Sequence, residues 1–221
     1  MNILIINPNS TASMTEKIGF CARASASSNT QIVAVNPENS PPAIEGPEDG
    51  KAALPYLFEL FESYTKTGEY DAAIVACFDD TGLWELKKKS PIPVLGIGEA
   101  AFHMAMLRVQ AFSTVTTLPV SVPVIEENLA NYGYAARCAR VRACDVPVLD
   151  LETNPDGSYE KLSREIELAV QDDASQAIVL GCAGMADLAA ELQANCPIPL
   201  IDGVKSAIGL AEMLVASHAG G

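Results

Sequence analysis

Short strand-like apolar runs recur along the chain at Ile3–Ile6, Ile32–Val35, Ala72–Ala76, Ile92–Ile97, Val109–Phe112, Arg140–Cys144, Ala177–Leu180 and Ile198–Ile201. Runs of this length, bounded by turn-forming residues, predict buried β-strands. Between them the apolar period changes. Over Lys51–Lys66, the residues Leu54, Leu57, Leu60, Phe61 and Tyr64 keep the three- and four-residue spacing of one buried helix face, with Pro55 in the first turn. Leu162, Ile166, Ala169 and Val170 repeat that spacing after an Asn154-Pro155-Asp156-Gly157 turn. Strands alternating with helices predict an α/β fold of parallel sheets covered by helices on both faces.

The two halves of the chain also match. "AIVACFDD" followed by "SPIPVLGIGEAA" aligns with "IVLGCAGM" followed by "CPIPLIDGVKSA", the Pro-Ile-Pro lying at nearly the same distance beyond each cysteine. "NILIINPNST" and "VQAFSTVTTL" share a layout too, a strand followed by hydroxyl and amide side chains. An internal duplication predicts two similar parallel-sheet α/β domains related by a pseudo-twofold. Cys77 and Cys182, each at a strand end with a glycine-containing turn beyond it, then meet in the cleft between the domains. Strand ends are where α/β proteins hold ligands.

Composition narrows the possibilities. The 221 residues, 49% hydrophobic, suffice for one sizeable core or two small ones. A net charge of −14 argues against a nucleic-acid partner, because phosphate binding rests on clustered Lys and Arg. The N-terminal "MNILII" has no basic flank and is broken by Asn7-Pro8-Asn9, and no apolar run nears the roughly 18 residues of a membrane helix. A cytoplasmic protein without membrane partners is the expectation. The six cysteines include no CxxC pair, which argues for reduced thiols rather than disulfides or a zinc site. Cys21, Cys138, Cys144 and Cys196 fit packing positions; Cys77 and Cys182 do not.

Two opposed thiols suit one chemistry in particular. A thiolate is a base whose pKa, about 8.5 when free, falls at a helix N-terminus, and both cysteines precede expected helix starts. One thiolate and one thiol on opposite faces of a carbon acid can remove a proton and return another, inverting the centre without a cofactor. The carbanion needs hydrogen-bond donors, for which the N–H groups of Phe78 and Ala183 and the hydroxyls of Ser10, Thr116 and Thr117 are candidates. Asn7 and Asn9, just past the first strand, are candidate ligand contacts. Asp79 and Asp80 read as caps or loop hydrogen-bonding groups, and because a bare carboxylate would raise the thiol's pKa, neither is expected to face Cys77 directly.

A rival signal is "GIGEAA" at 96–101, which fits a dinucleotide fingerprint, yet no acidic residue follows at the usual distance of about 20 positions. Its glycines then simply shape a strand-to-helix turn. His103 reads as a packed or capping histidine, His218 as part of a loose tail, and Lys87–Lys89 as a solvated helix end.

Taken together, "NPNST" at 7–11, "IEG" at 44–46, "ACFDDTGL" at 76–83, "GIGEAAFH" at 96–103, "TTLPVSVPVIEENL" at 116–129, "GCAGMADL" at 181–188 and "PLIDGV" at 199–204 resemble the hydantoin racemases of the wider aspartate/glutamate racemase superfamily. The likeness spans nearly the whole chain. It implies that Cys77 and Cys182 are the two acid/base residues and that the C-terminal helix crosses back onto the first domain, giving domains of 1–97 plus 206–221 and of 98–205. It implies a small hydantoin-like substrate, no cofactor and no metal. Asn7, Ser10, Ile44, Phe78, Asp79, Thr116, Thr117, Ala183 and Gly184 are the expected substrate contacts, with Ile44, Phe78 and Val120 as an apolar wall for the C5 substituent. Thr81 stands where the family more often has proline, and Ala43 where it more often has serine, so substrate preference stays open. Allantoin, an amino acid or a small cis-trans diacid are the alternatives, and a nucleotide-binding module is the alternative outside enzymes. A protein of this size and class is expected to form a symmetric homo-oligomer.

Overall fold

In the computed structural model, which describes residues 1–218, the chain alternates strand and helix almost without exception. Residues 219–221, assigned above to the first domain, lie outside the described residues. The first half runs β1 (Asn2–Ile6), α1 (Ala12–Ser25), β2 (Gln31–Val35), α2 (Pro47–Thr65), β3 (Ala72–Val75), α3 (Leu83–Lys89), β4 (Val94–Gly96) and α4 (Ile97–Arg108). The second runs β5 (Phe112–Thr116), α5 (Val122–Asn131), β6 (Cys138–Ala143), α6 (Asp150–Thr153), α7 (Pro155–Asp172), β7 (Ile178–Gly181), α8 (Ala189–Asn195), β8 (Leu200–Asp202) and α9 (Gly203–His218).

The strands form two parallel sheets, in the orders β2-β1-β3-β4 and β6-β5-β7-β8. The orders are the same when β5 is matched to β1, which is what a duplication requires. In each sheet the chain winds one way from the first strand and the other way from the third, so a crevice opens at their carboxyl ends. β3 and β7 are buried along their whole length, while the edge strand β2 is half-exposed, as parallel sheets covered by helices demand. The largest core cluster joins both halves, packing Ile3, Ile5 and Ile74 with Phe102, Phe112, Ile208 and Ala211. α9 lies against α1, α4 and β3.

All eight expected strands are present among the described residues, though one is displaced. β5 begins at Phe112, where the apolar pattern placed its end, because Val109 closes α4 with its N–H on Ala105 O. The strand instead carries Ser113, Thr114 and Thr116, all buried. Ser113 Oγ donates to Asp173 at 2.8 Å, and Thr116 Oγ1 donates to Gly181 O at 3.0 Å. Hydroxyls so satisfied can occupy a core, and hydropathy alone cannot foresee them.

Three helix expectations also change. α2 starts at Pro47, so Pro55 lies inside it rather than in its first turn; Pro55 sits on the exposed face, where the carbonyl it leaves unbonded can be hydrated. The Asn154–Gly157 segment is not a turn before α7 but its start, with Asn154 capping through its side chain onto the Gly157 N–H. His218 is the last residue of α9 rather than part of a loose tail.

Candidate active site

Each central strand delivers a polar residue past its carboxyl end. β1 leads into Asn7 and β3 into Cys77; β5 leads into Thr117 and β7 into Cys182. These four residues converge on one cavity of about 30 Å³, lined from both sheets, with Pro8, Asn9, Met14, Ile44, Phe78, Asp79, Thr116, Ser121, Val148 and Ala183 completing most of the wall. Space of that size holds roughly one or two water molecules. A substituted five-membered ring enters only if the walls part.

Most of the expected contacts reach this cavity. Asn7, Ile44, Phe78, Asp79, Thr116, Thr117 and Ala183 line it with the two cysteines. Ser10 does not; it is half-buried outside the wall, its N–H donating to Pro41 O at 3.0 Å. Gly184 is also displaced from the wall, being packed against Leu151, and its N–H is directed to the Cys182 sulfur. Val120 is 47% exposed and covers Gly46 instead of the cavity. Thr116 has already spent its hydroxyl on Gly181 O, whereas Thr117 Oγ1 has no partner among the described residues. Asn7 is held by its own neighbours, its side-chain amide donating to Asn9 Oδ1 at 2.8 Å and to Thr15 Oγ1 at 3.0 Å.

Ser121 and Val148 line the cavity although the periodicity did not single them out. They arrive on loops beyond β5 and β6, and only the "TTLPVSVPVIEENL" motif signals Ser121. Val148 is tied across the cleft by its N–H, which donates to Glu45 Oε1 at 2.7 Å.

The electrostatics correct two expectations. First, neither thiol is lowered. Burial pushes the Cys77 thiol well above its ordinary value, and the Asp79 carboxylate pushes it further, against the opposing effects of the Thr81 hydroxyl and the Asp79 N–H. Burial likewise pushes Cys182 up to about 12, with the Gly184 N–H opposing and Asp79 adding to the rise. Helix starts give little help here: α3 begins at Leu83, well beyond Cys77, and only a short 3-10 turn, Ala183–Met185, follows Cys182. Second, Asp79 does share the cavity with both sulfurs. Burial raises its own carboxyl to about 7, partly offset by the Ser121 hydroxyl at 3.5 Å.

Asp80 is a cap, but of a helix beyond its own loop. Its carboxylate accepts the N–H groups of Gly98 at 3.0 Å and Glu99 at 2.7 Å, at the start of α4, and the Tyr132 hydroxyl at 2.7 Å. Burial nevertheless raises it to about 7. The glycines of "GIGEAA" are explained by this approach: a Cβ on Gly96 would lie 1.9 Å from Asp80 Oδ1, and one on Gly98 2.4 Å from Phe78 O. The N–H groups that a dinucleotide phosphate would use are taken by the chain's own carboxylate. His103 is a capping and packing residue, with Nδ1 2.8 Å from Glu99 O and its ring edge-on to Tyr134. Lys87 departs from the solvated helix end expected of it. It pairs with Glu99 and lies over the Trp84 ring.

No helix among the described residues is long and apolar enough to cross a membrane. A family profile described as Asp/Glu/Hydantoin racemase matches residues 3–211. A hydantoin racemase of Rhizobium meliloti is 42% identical over 217 residues, covering 98% of this chain and 90% of its own. The solved structure of an allantoin racemase from Klebsiella pneumoniae superposes with a TM-score of 0.95 at 40% identity, covering 99% of this chain and 89% of that one. An allantoin racemase from Pseudomonas fluorescens gives a TM-score of 0.94 at 38% identity, over 99% of this chain and 92% of that one.

Proposed function

Because the chain belongs to the Asp/Glu/hydantoin racemase family, we propose that it is a cofactor-independent racemase of 5-substituted hydantoins in which Cys77 and Cys182 act on opposite faces of the ring. The observation that carries this reading is the convergence of two equivalent strand-end thiols on one cavity whose lining, among the described residues, includes no Lys, Arg or His. A free amino acid or diacid would bring a carboxylate beside Asp79 with no cation to meet it. A hydantoin is neutral. Its C5 hydrogen lies between a ring nitrogen and a ring carbonyl, which makes it a stronger carbon acid than an amino acid anion.

In this mechanism a thiolate takes the C5 proton, and the C–H electrons pass into the ring as an enolate. The opposite thiol then gives its proton to C5 on the other face. The product has the inverted centre, and the two sulfurs have exchanged roles. Thr117 Oγ1 and the Ala183 N–H are the donors available for the enolate oxygen. Of the expected substrate contacts, Asn7 holds the turn that shapes the site, while Ile44 and Phe78 supply its apolar side.

Allantoin, a hydantoin with a ureido group at C5, is the second reading, favoured by the close match to the two allantoin racemase structures and by the polar groups of Asp79, Ser121 and Thr117 in the wall. Incubating the protein in D₂O with each enantiomer of 5-benzylhydantoin, 5-isopropylhydantoin and allantoin tests both. Loss of optical rotation with one deuterium gained at C5 is the expected result, and the preferred compound decides between the readings. Cys77→Ser and Cys182→Ser should each lose racemisation by at least 10²-fold, while each still exchanges the C5 proton of one enantiomer, of opposite hands. A serine variant that racemises normally sinks the role given to that cysteine.

A further inference from the structure

The two halves match in backbone, yet their thiols do not have matching neighbours. Counting along each motif, the position that is Asp79 beyond Cys77 is Gly184 beyond Cys182, and the position that is Thr81 is Ala186. The first half therefore carries a carboxyl and a hydroxyl where the second carries neither. Both act on Cys77, the hydroxyl on that sulfur alone. The Asp79 carboxyl shares the cavity with Cys77, and Thr81 Oγ1 donates to Cys77 Sγ at 3.4 Å. Thr81 is buried, in a turn whose flanking residues Asp80 and Gly82 have φ of 51° and 69°, so the backbone fixes where its hydroxyl points.

A carboxylate beside a thiol disfavours the thiolate; a hydroxyl donated to the sulfur favours it. A racemase that runs in both directions needs both sulfurs to hold and to release a proton with similar ease. On the two-thiol reading above, we propose that Thr81 is a positioning residue whose hydroxyl, donated to Cys77 Sγ, offsets the Asp79 carboxyl and keeps Cys77 matched to Cys182 as a proton carrier. The groups that bear on the pair are Asp79 on both sulfurs, Glu45 and Cys144 on Cys182, and the Cys182 thiol on Cys77. None of the others offers Cys77 a side-chain hydrogen bond.

The test uses Thr81→Val, which keeps the volume and loses the hydroxyl, and Thr81→Ser, which keeps the hydroxyl. Alkylation by iodoacetamide at fixed neutral pH, mapped by mass to each cysteine, reads thiolate content directly and needs no turnover. Thr81→Val should lower the Cys77 thiolate population about tenfold, which appears as a roughly threefold slower alkylation because a more basic sulfur is more nucleophilic. Cys182 should keep its rate, and Thr81→Ser should behave as the parent. A second arm places Thr81→Val in the two single-cysteine variants and follows C5 deuterium exchange, which should slow in Cys182→Ser and stay unchanged in Cys77→Ser. Equal slowing of both cysteines, or no change at Cys77, overturns the proposal. Absence of exchange in the parent protein would instead count against the racemase reading, with the alkylation result standing on its own.

Discussion

A buried thiol is a strong base that is rarely deprotonated, and for Cys77 and Cys182 both consequences follow from the same desolvation. Since Cys182 is pushed up to about 12 and Cys77 in the same direction, the proposed mechanism, which needs one thiolate and one thiol, has the loss of a single proton from the pair limiting its rate at neutral pH. The rate should therefore rise about tenfold per pH unit from pH 7 to pH 9, measured as kcat/KM for racemisation; a plateau in that interval would mean that a thiol is already ionised. Asp79 gives the complementary experiment. Its charge raises both thiols, so Asp79→Asn removes that effect and should move the rising limb to lower pH. An unmoved limb would show that the carboxyl is neutral throughout the working range.

At the scale of elements, the decisive contact is between the Cys77 loop and the start of α4. Asp80 accepts two N–H groups there, and Gly98 lets Phe78 O approach to a distance that any Cβ would block. Gly98→Ala should push this loop out of place, costing about 1–3 kcal/mol by thermal denaturation and lowering racemisation far more than that stability loss explains. A variant with normal activity would show that the loop tolerates the shift. The same contact explains what was legible in the chain. The strands and their duplication could be read because central strands of a parallel sheet are continuously apolar, and the cysteines because they interrupt that pattern at strand ends. The glycines of 96–101 read as shaping a strand-to-helix turn, and they do lie where β4 passes into α4, but the sequence did not show that Asp80 and Phe78 O approach them there. Nor could it show β5, whose buried hydroxyls are acceptable only through partners far away in sequence, or Val148, which enters the wall by a tertiary contact.

At the scale of the molecule, the cavity closes because segments of the two halves hold each other. Glu45 accepts the Val148 N–H across the mouth, Asn128 Nδ2 donates to Asp79 O at 2.9 Å, and Lys17 on α1 pairs with Glu152 at 3.0 Å and Asp187 at 3.3 Å. The surface pairs of Lys17 contribute little. Glu45 is different, since its loss strands a backbone N–H at the cavity wall, at a cost of about 1–3 kcal/mol to the closed form. Glu45→Ala should raise KM several-fold with a smaller change in melting temperature, and small-angle scattering should show a larger radius; an unchanged KM would place closure elsewhere. α9 sets another condition on the whole. Its buried face, Val204, Ala207, Ile208 and Ala211, belongs to the same core as Ile3, Ile5 and Ile74 of the first sheet. During synthesis that sheet leaves the ribosome on the order of ten seconds before its covering helix does. The nascent chain thus presents an uncovered apolar face to holding chaperones until α9 has been made, and a polypeptide that stops short of α9 keeps that face exposed to proteolysis.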